Sequence, residues 1–88
     1  MATDKYQNEL ADIVLRLRAA GFESSISGEG AGRFVYVEHQ HRAAEISKDA
    51  GVWFIELFEQ PKEISVSDEM QDTIPIAVER VLDWLRNQ

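Results

Sequence analysis

Glu45 and Glu56 are the ionisable residues whose positions most directly suggest chemistry. They lie in two apolar segments joined by Asp49-Ala50-Gly51, a sequence typical of a tight turn. In an antiparallel hairpin built on that turn, the two carboxylates face one another and repel, so one of them could keep its proton and act as a general acid. No nucleophile or positioned histidine accompanies the pair in the sequence pattern. We therefore predict no catalytic residue.

His39 and His41 are the second candidate for chemistry. Being two residues apart at the end of a strand, they would project to the same side and could bind one metal ion through their imidazoles. Two ligands are too few for a tight site, and the sequence does not identify a third. We therefore expect no metal and no cofactor. A small enzyme or metal-binding protein that uses His39, His41, Glu45 and Glu56 stands as one alternative.

The glycine-rich segment Gly28-Glu29-Gly30-Ala31-Gly32 superficially matches a phosphate-binding loop. Such loops open a helix whose amides contact the anion, whereas this one precedes a strand-like segment and lacks the lysine of a Walker motif. The segment therefore predicts a flexible hairpin loop.

Composition narrows the range of partners. The chain has 88 residues, enough for a single domain spanning 1–88, and its sixteen acidic against nine basic residues give a net charge of −7. An acidic surface opposes binding to nucleic acid and to anionic membranes. There is no cysteine, and no segment approaches the length of an apolar membrane span, which favours a cytoplasmic location.

Two helices are predicted from apolar residues at helical spacing. The first runs from Asp4 to Ala20 and is closed by Gly21. The second begins near Asp72 or Thr73, because Pro75 in the segment that follows is compatible only with a first helical turn.

Four strands are predicted between the helices from alternating apolar and polar residues, and their ranges are Phe22 to Ser27, Arg33 to His39, Ala43 to Lys48 and Val52 to Phe58. The connection from Glu63 to Asp72 is polar, although Ile64 and Val66 within it could add a short extended segment. That connection could also fold back over part of the sheet.

The strand from Val52 to Phe58 has two different rows of side chains. Trp53, Ile55 and Leu57 form an unbroken apolar row, which predicts that this row faces the core. A consistent antiparallel register then pairs Val35 with Ile46, Val37 with Ala44, Ile46 with Ile55, and Ala44 with Leu57. The expected core is Leu10, Ile13, Val14, Leu17, Val35, Val37, Ile46, Trp53, Ile55, Leu57, Val78, Val81, Leu82 and Leu85.

The opposite row of the same strands carries aromatic and acidic side chains, and the residues expected to bind a partner are Phe34, Tyr36, Glu45, Phe54, Glu56 and Phe58. Both helices are committed to the other side of the sheet. A sheet with apolar residues on both sides needs two covers, so we expect this row to meet a second molecule.

The predicted fold is α+β in two layers, a four-stranded antiparallel meander with the N- and C-terminal helices on one face (αββββα). This order of elements resembles that of the double-stranded-RNA-binding domain. The segment leading into the second helix is acidic here, at Asp68, Glu69 and Asp72, where that family needs basic residues. The resemblance therefore implies the architecture and not RNA binding.

The function that these observations favour is that of a small acidic, non-catalytic interaction or regulatory protein. Its aromatic sheet face would bind a protein partner or form a homodimer, with no nucleic acid and no membrane involved. An acidic inhibitor of the immunity or antitoxin type, covering a basic enzyme, is a further alternative.

Overall fold

Two helices flank five strands in the computed structural model, which describes residues 5–59 and 64–87 apart from the side chains of residues 64–66. The elements in chain order are α1 (Lys5–Ala19), β1 (Ser24–Ser27), β2 (Phe34–His39), β3 (Arg42–Asp49), β4 (Val52–Glu59), β5 (Ile64–Gln71) and α2 (Ile74–Arg86). The strands form one antiparallel sheet in the order β1-β2-β3-β4-β5. The predicted α+β class is confirmed, and the predicted number of strands is wrong by one.

Helix α1 ends where the sequence predicts. The amide of Phe22 donates to the carbonyl of Leu17, and the amide of Gly21 donates to the carbonyl of Arg18. Gly21 has a φ of 96°, a left-handed conformation that suits glycine. These bonds form a Schellman cap, which satisfies the last carbonyls of the helix. The cap also turns Phe22 into the core beside Leu17 instead of placing it in β1.

The three central strands have the predicted register. Val35 pairs with Ile46 and Val37 with Ala44 between β2 and β3, while Ile46 pairs with Ile55 and Ala44 with Leu57 between β3 and β4. Two-residue turns at Gln40-His41 and Ala50-Gly51 set these hairpins, and a loop with a 3-10 turn over Gly30–Gly32 joins β1 to β2. Short turns leave no freedom to slip by one residue, so the alternation of the sequence is preserved.

The turn between β3 and β4 contains an alanine, Ala50, in a backbone conformation that alanine rarely adopts. Ala50 has a φ of 50° and Gly51 a φ of 79°, the pair of left-handed residues found in a type I′ turn. Replacing Ala50 with asparagine should raise the free energy of unfolding by roughly 0.5–1 kcal/mol, because asparagine tolerates this conformation better than alanine. Urea unfolding followed by circular dichroism measures the change.

Gly51→Ala is the matched control for that prediction. No atom lies within 4 Å of the added Cβ, so only the backbone conformation opposes the substitution. It should lower the free energy of unfolding by about 1 kcal/mol. A loss of stability in Ala50→Asn would show that the turn does not favour asparagine.

Strand β5 corrects the prediction for the connection before α2. The segment Glu63 to Asp72 was expected to be mainly a polar connection that could cover the sheet, but its residues Ile64–Gln71 pair with β4 as an edge strand. A bulge shifts the register between Leu57 and Phe58. Residues 64–71 therefore widen the sheet. Residues Asp68 and Glu69 accordingly belong to a strand and not to the approach to a helix.

Both helices pack on the same side of the sheet. Every residue of the predicted core is buried, and the apolar faces of α1 and α2 form one cluster with the core-side residues of the sheet. The Oγ of Thr73 accepts a hydrogen bond from the amide of Ile76 and so caps the first turn of α2, next to the proline expected there. Neither α1 nor α2, in the described part of the chain, is long and apolar enough to span a membrane.

Trp84 and Ala77 are not among the expected core residues, and both are buried. The indole Nε1 of Trp84 donates to the carbonyl of Ala43 at 3.2 Å, and the guanidinium of Arg42 lies 4.0 Å above the indole. Arg42 also donates to the carbonyls of Trp84 and Asn87, which satisfies the end of α2. Contacts with β3 bury this edge of α2. The spacing of apolar residues along the helix does not reveal them.

Candidate functional site

The side of the sheet opposite the helices holds all of the residues predicted to bind a partner. We call it the open face, and its described positions are Ser25, Ser27, Phe34, Tyr36, Glu38, Ala43, Glu45, Ser47, Asp49, Val52, Phe54, Glu56, Phe58, Asp68 and Met70. Each predicted partner-binding residue is half-buried there. The structure confirms this placement, and their role in binding remains a prediction.

A row of directly opposed residues crosses the open face from one edge to the other. Ser25 pairs with Tyr36, Tyr36 with Glu45, Glu45 with Glu56, and Glu56 with Asp68. The predicted pairing of Glu45 with Glu56 is therefore confirmed. Strand β5 adds Asp68 as a third carboxylate in succession. We call Glu45, Glu56 and Asp68 the acidic row.

Aromatic residues flank the acidic row on both sides. Phe34 and Phe54 lie toward the Ala50-Gly51 turn, where Phe54 pairs with Ser47 on one side and Met70 on the other. Phe58 lies on the opposite side of the row, paired with the buried Ala43. An acidic strip between aromatic groups is amphipathic, so it can contact both apolar and charged groups of another molecule.

A concavity of about 330 Å³ opens on this face between Phe34 and Phe54. Glu45, Glu56 and Asp49 contribute to its walls, and the 3-10 turn over Gly30–Gly32 borders one side. The predicted hairpin loop thus forms part of the rim. Neither histidine belongs to this lining.

The two histidines occupy different settings. His39 ends β2, and its ring lies edge-on to Phe22 with the ring centroids 5.0 Å apart, whereas His41 is in the turn that follows. Within residues 5–59 and 64–87, no group of three or more histidine, aspartate or glutamate side chains is arranged to hold a metal ion.

Comparison with known families, curated proteins and solved structures finds no relative of this chain. No protein-family model, curated protein or solved structure matches this chain.

Basic residues near the sheet are directed to the helical side. Lys48 pairs with Glu9 of α1 at 3.0 Å, and Arg80 of α2 pairs with Glu69 of β5 at 2.8 Å. Arg33 donates to the side chain of Gln7 and to the carbonyl of Gly30. Arg42 lies against Trp84, so each of these basic side chains contacts a helix or belongs to one, while Arg33 and Lys48 also line the concavity of the open face.

Sequence reasoning missed Asp68 and Met70 as members of this face. Both lie in β5, and Met70 is 70% exposed there. Their alternation with Ser67, Glu69 and Gln71 is a weak signal, since none of those core-side residues is apolar. The side of the sheet on which Arg42 and Lys48 lie was easier to predict. Both are at alternate positions of β3 with Ala44 and Ile46, and alternate residues of a strand face the same side.

Proposed function

We propose that this chain is a small, non-catalytic interaction or regulatory protein that docks a second protein molecule on its open face. The observation that carries the proposal is the group of half-buried aromatic residues, Phe34, Tyr36, Phe54 and Phe58, on the side of the sheet away from both helices. Aromatic side chains are enriched in the centres of protein interfaces.

The grouping of four aromatic residues on one face distinguishes them from ordinary exposed apolar residues. Leu15 on α1 and Ile76 on α2 are exposed, but they project singly from helix surfaces. Isolated exposed apolar residues are normal, whereas apolar side chains grouped on one face of a monomer commonly mark an interaction surface.

A homodimer and a complex with a different protein are both compatible with docking on this face. An acidic inhibitor of the immunity or antitoxin type is a special case of the second, and the acidic row supports it. Such an inhibitor would cover the active site of a basic enzyme. Loss of the enzyme's activity in the complex would identify it.

Phe54→Asp should weaken association through the open face by at least about tenfold, because it removes an apolar contact and places a charge in the interface. The helical circular dichroism signal should stay unchanged, since Phe54 does not face the core. Sedimentation equilibrium measures self-association. Photo-crosslinking in the native cell, with benzoylphenylalanine replacing Met70, measures contact with a different protein.

Leu15→Asp is the matched control, since Leu15 is exposed on α1 and the change in charge is the same. A crosslinker at Leu15 should capture nothing in common with the one at Met70. If Phe54→Asp and Leu15→Asp behave alike in both measurements, the open face is not a docking surface. If Phe54→Asp unfolds the protein, the face is internal core and the proposal fails.

A further inference from the structure

We infer that the outer edge of β5 accepts an extended segment of a different protein as a sixth strand, with one apolar side chain of that segment entering the groove between β5 and α2. This inference goes beyond the proposed function, because it concerns the edge of the sheet and not its open face. It is carried by the backbone of β5, by the groove beside it, and by exposed apolar residues on both sides of that edge.

The two edges of the sheet differ in how well they are closed. Strand β1 has only four residues, and Arg18 donates through Nε and a terminal nitrogen to the carbonyl of Ser24 at 3.2 and 2.9 Å. Strand β5 has eight residues, contains no proline, and pairs with no strand on its outer side among the described residues. A long edge with unpaired backbone groups is a template for another strand.

The ladder between the strands identifies which backbone groups of β5 face outward. The tight turn between β3 and β4 closes on the pair Asp49 and Val52, so even-numbered residues of β4 bond to β3 and odd-numbered residues bond to β5. The residues of β5 opposite those odd-numbered positions are Ser67, Glu69 and Gln71. The amide and carbonyl groups of Asp68 and Met70 therefore point away from β4.

A groove of about 600 Å³ lies between the end of β5 and α2, on the helical side of this edge. Gln71 of β5 and Pro75, Ile76 and Arg80 of α2 contribute to its walls. Three large apolar residues are exposed in the described part of the chain, and two of them flank this edge: Ile76, 51% exposed, at the groove, and Met70, 70% exposed, on the open face. Side chains of an added strand alternate between the two sides, so one strand would cover both residues.

Alternation also specifies the chemistry of the incoming strand. A side chain opposite Met70 lies on the open face, and a side chain opposite Gln71 lies on the helical side next to the groove. Apolar side chains at both positions would cover Met70 and Ile76, while main-chain hydrogen bonds to β5 would fix the register. Glu69 holds Arg80 at 2.8 Å, so this wall of the groove is already formed in the free protein.

Charge disfavours a second copy of this chain at the same edge. Antiparallel pairing of β5 with another β5 around its regular end would be symmetric about Asp68, Glu69 or Met70. These registers set Asp68 opposite Asp68, Glu69 opposite Glu69, or Asp68 opposite Asp72. Directly opposed like charges destabilise an antiparallel pair, so the occupant is a segment of a different protein.

Hydrogen exchange of the full-length protein, followed by NMR, tests the outward groups. The amides of Asp68 and Met70 should exchange faster than those of Glu69 and Gln71 by about tenfold or more, because only the latter bond to β4. Protection of the two outward amides at every protein concentration would mean that the edge is already covered. Protection that increases with concentration would identify a second copy. Either result overturns the inference.

A phage-displayed library of random dodecapeptides supplies the probe. Peptides selected on the full-length protein should protect the amides of Asp68 and Met70 and shift the amide resonances of β5 and α2. Failure to enrich any peptide would overturn the inference. Shifts centred on β2 and β3 would place the peptides on the open face, so that the inference fails while the proposed function gains support.

Asp68→Pro is the decisive variant, because it removes one outward amide but no bond to β4, and proline is tolerated at such edge positions. It should weaken the binding of a selected peptide by about tenfold or more. Asp68→Ala is the matched control, since it loses the same carboxylate and retains the amide. It should change the affinity by less than about threefold. Equal weakening by the two variants would contradict strand addition.

Ile76→Ser tests the groove in a variant that keeps the backbone of β5 intact, so it decides the matter even if Asp68→Pro unfolds the protein. It should weaken peptide binding by about fivefold or more, whereas Leu15→Ser, at an exposed position on α1, should leave the affinity unchanged. Circular dichroism verifies the fold of each variant. An unchanged affinity in Ile76→Ser would exclude the groove and overturn the inference.

Discussion

Trp53→Ala should lower the free energy of unfolding by about 3–5 kcal/mol, a large part of the total for a domain of this size. The indole is 2% exposed and stacks on Tyr6 with the ring centroids 6.4 Å apart. Lys48 lies over the same ring, and the Tyr6 hydroxyl donates to the carbonyl of Arg33. Removing the indole therefore leaves a cavity at the point where α1 meets the sheet.

Urea unfolding followed by circular dichroism and by the fluorescence of Trp84 measures this loss. Phe54→Ala is the control, because Phe54 is the next residue in β4 and its side chain lies on the open face. It should cost clearly less than Trp53→Ala, since a half-buried ring leaves no closed cavity. Equal losses for the two variants would show that both rows of β4 are internal.

Trp84→Ala should also destabilise the protein by about 3–5 kcal/mol. Trp84 is 9% exposed in α2 and joins three features at once: the core, the carbonyl of Ala43 in β3, and the guanidinium of Arg42. Loss of the ring removes apolar contact and also releases Arg42, which satisfies the last carbonyls of the helix.

Trp84→Phe separates the contribution of ring packing from that of the hydrogen bond to the carbonyl of Ala43. Phenylalanine retains an aromatic ring for the core and for Arg42 but cannot donate to Ala43, so the expected loss is about 1–2 kcal/mol. Urea unfolding monitored by circular dichroism distinguishes the two variants. An equal loss in Trp84→Phe and Trp84→Ala would assign the whole effect to the hydrogen bond and contradict the role of ring packing.

Much of the central sheet was predictable because two local signals agree. Alternation places Trp53, Ile55 and Leu57 on one side, and the short turns at Gln40-His41 and Ala50-Gly51 allow only registers that keep that alternation. The opposition of Glu45 and Glu56 follows from the same register. Each of these features depends on residues close together in the chain.

Strand β5 lacks the alternating apolar pattern that made the central strands predictable, because its core-side residues Ser67, Glu69 and Gln71 are polar. An edge strand needs only backbone pairing along one side, and aspartate and glutamate are poor strand formers. Here Glu69 is held by Arg80 of α2, which takes the place of an apolar contact. The pairing of β5 with β4 thus depends on a partner that comes later in the chain.

The sequence by itself determined the two helices, the central hairpins, the apolar core and the aromatic character of the second sheet face. Tertiary structure decided that the segment before α2 widens the sheet, that Asp68 extends the acidic row, and that Trp84 is buried. It also decided which α1 residues contact the basic side chains of the sheet. Lys48 binds Glu9 and Arg33 binds Gln7, and only the docking of α1 brings these residues, distant in sequence, within reach.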